Sequence, residues 1–361
     1  MGALPWAGAV LHGKYVASLR PQGDPTAHCP PVDRWPRDVP ATAADHRGMD
    51  RLRALNEQDG FFSRADALAE GYDDRTIQRT IRSGTWRRVR TGAYSFSDLW
   101  PATDEELHRI RGRAAARKLG GHVALSHTSA AHEHGLRTWG VALSDVHVTR
   151  LDGGAGRAES GVVHHEGLLL PQDLVRKDGL WVTNPARAAI ETASLTSTES
   201  ALVVLDSALQ LGLCSREELF EAYRTLQAWP GMQRVGVAVR LADAGGQSVG
   251  ESRTRYLCYA QGIPAPETQF EVRDRDGRLV AAADLAWPEH RLLGEFDGRV
   301  KYGRLLRPGE EPGDAVFREK RREDLIRELL PGWSVIRFVW SDLYAARETA
   351  QRIRRMLNLA A

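Results

Sequence analysis

Cysteine is scarce in this 361-residue chain. Cys29, Cys214 and Cys258 form an odd, widely spaced set without a CxxC pair. That excludes a disulfide framework and a thiolate zinc site, and it fits a reducing cytoplasm. No apolar run approaches the roughly 18–20 residues that a membrane helix needs. Charge of one sign is lacking too: the net charge is +2, so a nucleic-acid role must rest on local basic patches rather than a global field. What is present, 42% hydrophobic and 27% charged residues, is ordinary for a folded protein and excludes a collagen-like, coiled-coil or wholly disordered chain. The length suffices for two or three domains with real cores.

Residues 1–48 stand apart. They hold Pro5, Pro21, Pro25, Pro30, Pro31, Pro36 and Pro40, without helical or strand periodicity. Such a segment buries too little apolar surface to offset its ordering entropy, so a disordered leader is expected. Its mildly apolar start, Ala3 to Leu11, lacks the positive charge that opens a signal peptide. Met49 opens the first good helix, so this stretch also reads as an over-extended start.

From 49 to 99 the pattern is that of three short helices and a basic ribbon. The first helix ends near Asp59-Gly60; Ser63 caps a second, Arg64 to Glu70, and Gly71 stops it. Asp73 or Asp74 starts a third, Arg75 to Ser83, closed by Gly84. Ile77 and Ile81, four apart, face inward, which leaves Arg75, Gln78, Arg79 and Arg82 outside. Thr85 to Tyr94 alternates like a strand and turns at Gly92. This is the outline of a winged helix-turn-helix.

A middle α/β domain is expected over 103–229, with helices at Glu105–Leu119 and around Ser126–His134. A strand pair follows, Asp145–Thr149 and Gly161–His165, joined by the glycine-rich turn Asp152–Gly156. Long helical patterns continue after Asn184-Pro185 through Leu211 and from Ser215 to Gln227. Gly245-Gly246-Gln247 reads as a short linker. The last segment, 245–361, orders its elements α-β-β-β-α-β-α: a helix at Val249–Ala260, strands at Thr268–Arg273, Leu279–Trp287 and Leu292–Asp297, a helix at Phe317–Leu330, a strand at Trp333–Trp340 and a basic closing helix. The fold class is therefore α/β multidomain.

Acidic residues inside apolar strands carry the strongest chemical signal. Asp284 and Glu295 interrupt the runs Ala281–Trp287 and Leu292–Phe296. If Pro288–Arg291 form a four-residue loop, Trp287 pairs with Leu292 and Asp284 lies opposite Glu295, with side chains roughly 5 Å apart. Asp297 then shares the Glu295 face. Carboxylates that close are destabilising unless a proton or a cation bridges them, and hard oxygens on neighbouring strands suit Mg²⁺. The plainer alternative is a hairpin with one solvated face, against which the apolar flanks argue. Glu251 is ambiguous, because Ser248-x-x-Glu251 also has the spacing of a capping box.

Together, Ser248-x-x-Glu251-Ser252-x-x-Arg255, Asp284-x-x-Trp287-Pro288-Glu289, Glu295-Phe296-Asp297-Gly298 and Gly332-Trp333-x-Val335-x-Arg337-Phe338 resemble the Vsr-like (very-short-patch-repair-type) branch of the PD-(D/E)xK nucleases. The resemblance covers about 110 residues. It implies a restriction-endonuclease-like αβββαβ domain, with Glu251, Asp284 and Glu295 as metal ligands and Mg²⁺ (or Mn²⁺) assisting phosphodiester hydrolysis. One departure is plain: where the superfamily has lysine, two residues after the second acid, this chain has Asp297. Lys301, Lys320 or Gln269 are the polar groups that could serve instead. The charged run Arg318–Asp324 reads as a solvated face or, through Lys320, Arg321 and Arg322, as a phosphate contact.

The first module resembles the winged-helix domain of AbiEi-type antitoxins, through Gly60-Phe61-Phe62-Ser63-Arg64, the basic third helix and Trp86-Arg87-Arg88-Val89-x-x-Gly92-Ala93-Tyr94. Leu125-Ser126-His127-x-Ser129-Ala130-Ala131 and Thr183-Asn184-Pro185-Ala186-Arg187 look like the middle domain that accompanies it. The resemblance implies DNA as a partner, with Arg75, Gln78, Arg79 and Arg82 toward the major groove and Arg87, Arg88 and Arg90 toward the backbone, and a cognate toxin as a second partner. A small protein-interaction domain with an exposed basic helix is the alternative.

Weaker signals are set aside. His127, His132 and His134 do not converge on one zinc ion, His164 and His165 point to opposite sides of a strand, and Gly153-Gly154-x-Gly156 lacks the helix a phosphate loop needs, which makes it a hairpin turn. The expectation is a cytoplasmic DNA-binding protein with a Mg²⁺-dependent endonuclease domain, in defence or repair. Its rivals are a regulator or antitoxin without catalysis, and a scaffold without DNA affinity.

Overall fold

Local capping chemistry explains the first elements. The computed structural model describes residues 47–298 and 325–359, all inside one compact unit, Ala41–Ala361. The expected leader therefore lies outside the described residues except where it meets α1 (Arg47–Asp59). After β1 (Phe62–Ser63), the Ser63 hydroxyl accepts from the Asp66 N–H at 3.1 Å while the Asp66 carboxylate accepts from the Ser63 N–H at 2.8 Å, which opens α2 (Arg64–Ala69). The Asp73 carboxylate accepts from the Thr76 N–H and opens α3 (Asp74–Arg82). Strands β2 (Trp86–Arg90) and β3 (Ala93–Phe96) pair antiparallel, and β1 adds to β3. Leu52, Phe62, Ile77, Trp86, Tyr94 and Phe96 close the core between these helices and the small sheet.

The next region is a mixed sheet backed by helices. Helix α4 (Asp104–Leu119), β4 (Val123–Leu125), α5 (His127–Glu133), β5 (Val146–Arg150), β6 (Arg157–Glu159), β7 (Val162–His165), β8 (Leu174–Lys177) and β9 (Leu180–Thr183) follow in order. The strands lie β6-β7-β5-β4-β9-β8. Here the sequence expectation fails: β5 and β7 are parallel, so the glycine-rich stretch is no hairpin turn. The hairpin is β6–β7, turned by Ser160 and Gly161, both at positive φ, the conformation a two-residue turn requires. Strands β4, β8 and β9 are too short to show a period in sequence.

Four helices then share one core: α6 (Pro185–Ser194), α7 (Thr198–Gln210), α8 (Arg216–Leu226) and α9 (Met232–Leu241). That core runs from Ala131 to Ala242 without a break at Trp229. Nor does Gly245-Gly246-Gln247 behave as a loose linker. Arg137 Nη2 donates to the Gly246 carbonyl at 3.0 Å, and the Gly246 Cα lies so close to α7 that an added Cβ would sit 2.5 Å from Asp206 Oδ2.

The final sheet has the order β10-β11-β12-β13, formed by Glu267–Arg273, Leu279–Trp287, Leu292–Phe296 and Ser334–Phe338. The first three strands are antiparallel and β13 runs parallel to β12. Helix α10 (Val249–Ala260) and the terminal helix Ala346–Met356 cover one face through Leu257, Cys258, Phe296, Phe338, Ala350 and Ile353. Ile326, in the helical turn at residues 325–329, packs against Ala283, Ala286 and Leu293. Most of the helix expected at Phe317–Leu330 lies outside the described residues. Strand β13 stops at Phe338 rather than Trp340, because Val339 starts a short helix, Trp340–Tyr344.

Candidate functional site

The turn between β11 and β12 sets the site. Pro288–Arg291 make a compact turn with Arg291 at φ +51°, and Trp287 pairs with Leu292, Ala286 with Leu293 and Leu285 with Gly294. The same register carries Asp284 opposite Glu295. The ladder itself ends at Leu285 and Gly294, and just beyond it Asp284 Oδ2 accepts the Phe296 N–H at 2.8 Å. A backbone donor thus fixes one oxygen of Asp284. Both acids are partly buried.

The row extends to both neighbouring strands. On β10, Thr268 pairs with Leu285 and Phe270 with Ala283, so Gln269 stands level with Asp284. Its φ is +49°, a left-handed conformation inside a strand, which costs on the order of 1–3 kcal/mol. Its amide is turned to α10, where Nε2 donates to the Gly245 carbonyl at 3.3 Å and to Glu251 Oε2 at 3.4 Å. On β13, Arg337 is the register partner of Glu295, with Nε 3.9 Å from Glu295 Oε2. Gln269, Asp284, Glu295 and Arg337 therefore cross all four strands at one level.

Glu251 is 3% exposed in the first turn of α10. Its N–H donates to Ser248 Oγ, and its carboxylate accepts the Gln247 N–H at 2.9 Å. The capping box expected from Ser248-x-x-Glu251 is thus only half formed, because the Glu251 carboxylate takes the Gln247 N–H rather than that of Ser248 and also meets the amide of Gln269. Among the described residues, no three His, Cys, Asp or Glu side chains are already gathered as a metal-holding group. Asp297 lies beside the row, its N–H donating to the Phe338 carbonyl at 2.8 Å. Lys301, Lys320, Arg321 and Arg322 lie outside the described residues.

Helix α10 is clamped from behind by α7. Arg255 Nη1 meets Asp206 Oδ2 at 2.7 Å, and Asp206 Oδ1 accepts the Asp243 N–H. Burial pushes the Asp206 carboxyl up to about 6 despite Arg255. Asp243 Oδ1 accepts from Thr268 Oγ1 at 2.9 Å, immediately before Gln269. Arg253 Nε meets Glu199 at 2.7 Å, and its guanidinium lies 3.7 Å from the centre of the Trp139 ring.

At the other end of the chain, Arg75, Gln78, Arg79, Arg82, Arg87 and Arg88 are exposed. Arg87 stacks 3.8 Å over the Trp100 ring. Arg90 differs from the expectation: a β-bulge between Arg88 and Arg90 turns it inward, Nη1 is buried without a partner, and burial lowers its pKa. The motif residues of the middle region serve as framework. Asn184 Oδ1 accepts the Arg187 N–H, and buried Arg187 pairs with Glu191 and Asp173, each at 2.8 Å.

A histidine stack went unforeseen. His127, at φ +49°, stacks on His165 at 3.7 Å between ring centres, and His165 Nε2 and His147 Nδ1 share a hydrogen bond of 2.9 Å. Glu191 Oε2 accepts the His127 N–H beneath them. Burial pushes His147 down to about 4 and His165 down to about 3. The sequence signal was only that His147 and His165 would share a face once β5 and β7 were known to be parallel.

No protein-family model matches the chain. Two proteins of Mycobacterium tuberculosis, Uncharacterized protein MT2308 (strain CDC 1551 / Oshkosh) and Uncharacterized protein Rv2248 (strain ATCC 25618 / H37Rv), are each 30% identical over 286 residues, which cover 78% of this chain and 95% of the relative. The crystal structure of RV2827C protein from the same organism aligns with 54% of this chain and 76% of its own, at 17% identity and a TM-score of 0.34. Shared over nearly the full length of those two relatives, the sequence places this chain in one family with Rv2248.

Proposed function

We propose that this chain is a DNA-directed protein whose C-terminal region hydrolyses DNA phosphodiesters with Mg²⁺ or Mn²⁺. The supporting observation is the row of Asp284 and Glu295 on facing strands, with Glu251 held beside it through Gln269. The donor set fits the cation: Mg²⁺ takes one or two carboxylates and completes its shell with water and phosphate. Asp284 and Glu295 would hold it, with Glu251 at the edge of the site; when bound, it polarises a phosphoryl oxygen and lowers the pKa of an attacking water. The chain's own part is positioning. The Phe296 N–H orients Asp284, and the α7–α10 clamp fixes Gln269 and Glu251.

In this reading the C-terminal region is a restriction-endonuclease-like domain and residues 49–99 a winged helix-turn-helix. The order of α1, β1, α2, α3, β2 and β3 and the exposed basic face of α3 support delivery to DNA. The test is cleavage of plasmid and short duplex DNA by wild type and Asp284→Ala in Mg²⁺, Mn²⁺ or EDTA. Metal-dependent nicking is expected from the wild type and none from the variant, with DNA affinity retained. Equal cleavage by both would refute the site.

A second reading, an AbiEi-like regulator or antitoxin without catalysis, draws support from Asp297, which puts a further negative charge where a cation would aid hydrolysis. It predicts salt-sensitive DNA binding that ignores metal, with a cognate toxin as partner.

A further inference from the structure

We propose that Arg337 is the residue through which the acid row meets a nucleic-acid phosphate; this rests on reading that row as a phosphodiester site. Acids at a site for a polyanion need a cation beside them, or the substrate is repelled. Among the described residues, Arg337 provides it in register: β12 and β13 are parallel, Glu295 is its Cα partner, and registered residues of neighbouring strands leave the same face. The guanidinium stands beside Glu295, with Nε at 3.9 Å from Oε2, and its side chain remains 49% exposed. It is close enough to share the site and exposed enough to reach a ligand.

The backbone beneath it is fixed. Arg352 Nη2 donates to the Arg337 carbonyl at 3.3 Å, and Arg352 is itself paired with Asp342 at 3.0 Å. Ile336 and Phe338, on either side, are buried in the core. The strand therefore presents Arg337 from a rigid base, with its head group beside Glu295. A planar guanidinium offers two parallel N–H donors to the two non-bridging oxygens of a phosphodiester, which an ammonium cannot do. Arg337 thus binds substrate and stabilises charge that builds on the phosphoryl group, while Asp284 and Glu295 hold the cation.

The test uses the full chain as wild type, Arg337→Ala, Arg337→Lys and Glu295→Gln. Single-turnover cleavage of a short duplex is measured across a Mn²⁺ series, and binding of the same duplex in Ca²⁺ across a salt series. Arg337→Ala is expected to lose about 10²–10³ in cleavage rate at saturating metal, with Arg337→Lys between it and wild type. Its slope of log affinity against log salt should fall by about 0.9, the signature of one lost phosphate contact. Glu295→Gln should bind duplex more tightly, because it removes a repelling charge. Wild-type cleavage by Arg337→Ala overturns the proposal, as does a defect that excess metal fully restores, which would make Arg337 only a support for Glu295. If wild type cleaves nothing in any metal, the hydrolytic reading falls, and the salt slope alone decides Arg337: an unchanged slope refutes the contact and a reduced one upholds it.

Discussion

Acidification should loosen the middle sheet before it affects either flanking region. His147 and His165 are held neutral by burial, near pKa 4 and 3, with His127, His108, His164, Glu191 and Asp145 around them. In the unfolded chain each titrates at about 6.5. The folded values are depressed, so the unfolded state takes up protons first. Stability is full above pH 6.5 and is lost as pH falls from there toward the folded pKa values. Between pH 7 and pH 5 the linkage relation gives about 1.8 kcal/mol per histidine, or about 3.6 kcal/mol for the two. Against a typical total of roughly 5–15 kcal/mol, that is a large loss. Urea unfolding followed by tryptophan fluorescence at pH 7, 6 and 5 measures it. The paired variant His147→Asn/His165→Gln keeps a hydrogen-bonding atom near each reacting nitrogen but cannot titrate. It should lose about 3 kcal/mol less than wild type over this range. If both lose stability equally on acidification, the stack is not what couples this fold to pH.

The tight approach of α10 to α7 gives a steric prediction. Gly246→Ala places a Cβ 2.5 Å from Asp206 Oδ2 and 3.0 Å from Ser252 Oγ, and should cost about 1–3 kcal/mol in urea unfolding; an unchanged midpoint would show that the clamp is loose. Ile77→Ala empties a fully buried position between α3 and the first sheet, and a loss of about 2–5 kcal/mol is expected by the same assay. Arg79→Ala, on an exposed face, should leave the unfolding midpoint within about 0.5 kcal/mol while lowering the salt slope of DNA binding by about one. Unaltered DNA binding by that variant would remove α3 from the interface.

Local rules were legible in the sequence because they act over three or four residues. Ser63 and Asp73 open their helices through the N–H groups three positions on, and Ile77 turns inward because Arg75, Gln78, Arg79 and Arg82 around it are polar or charged. The level of Asp284 and Glu295 was legible for the same reason, since a short turn from Pro288 to Arg291 dictates that Trp287 pairs with Leu292. Even the missed hairpin had its local sign in Ser160-Gly161, which the more conspicuous glycines nearby obscured.

What tertiary structure decided involves partners far apart in the chain. Whether β5 meets β7 parallel or antiparallel depends on β6 inserting between them in sequence, and that choice alone brings His147 and His165 onto one face above His127. Gln269 has no local reason to adopt positive φ within a strand. Its conformation is held by Gly245, Glu251 and, through Thr268, Asp243, groups that meet only when α10 docks against α7. Arg337 stands beside Glu295 because β13 returns parallel to β12 after some 40 intervening residues, a pairing no short-range pattern encodes. Backbone periodicity and capping determine which elements form. Packing and long-range registry determine which side chains meet.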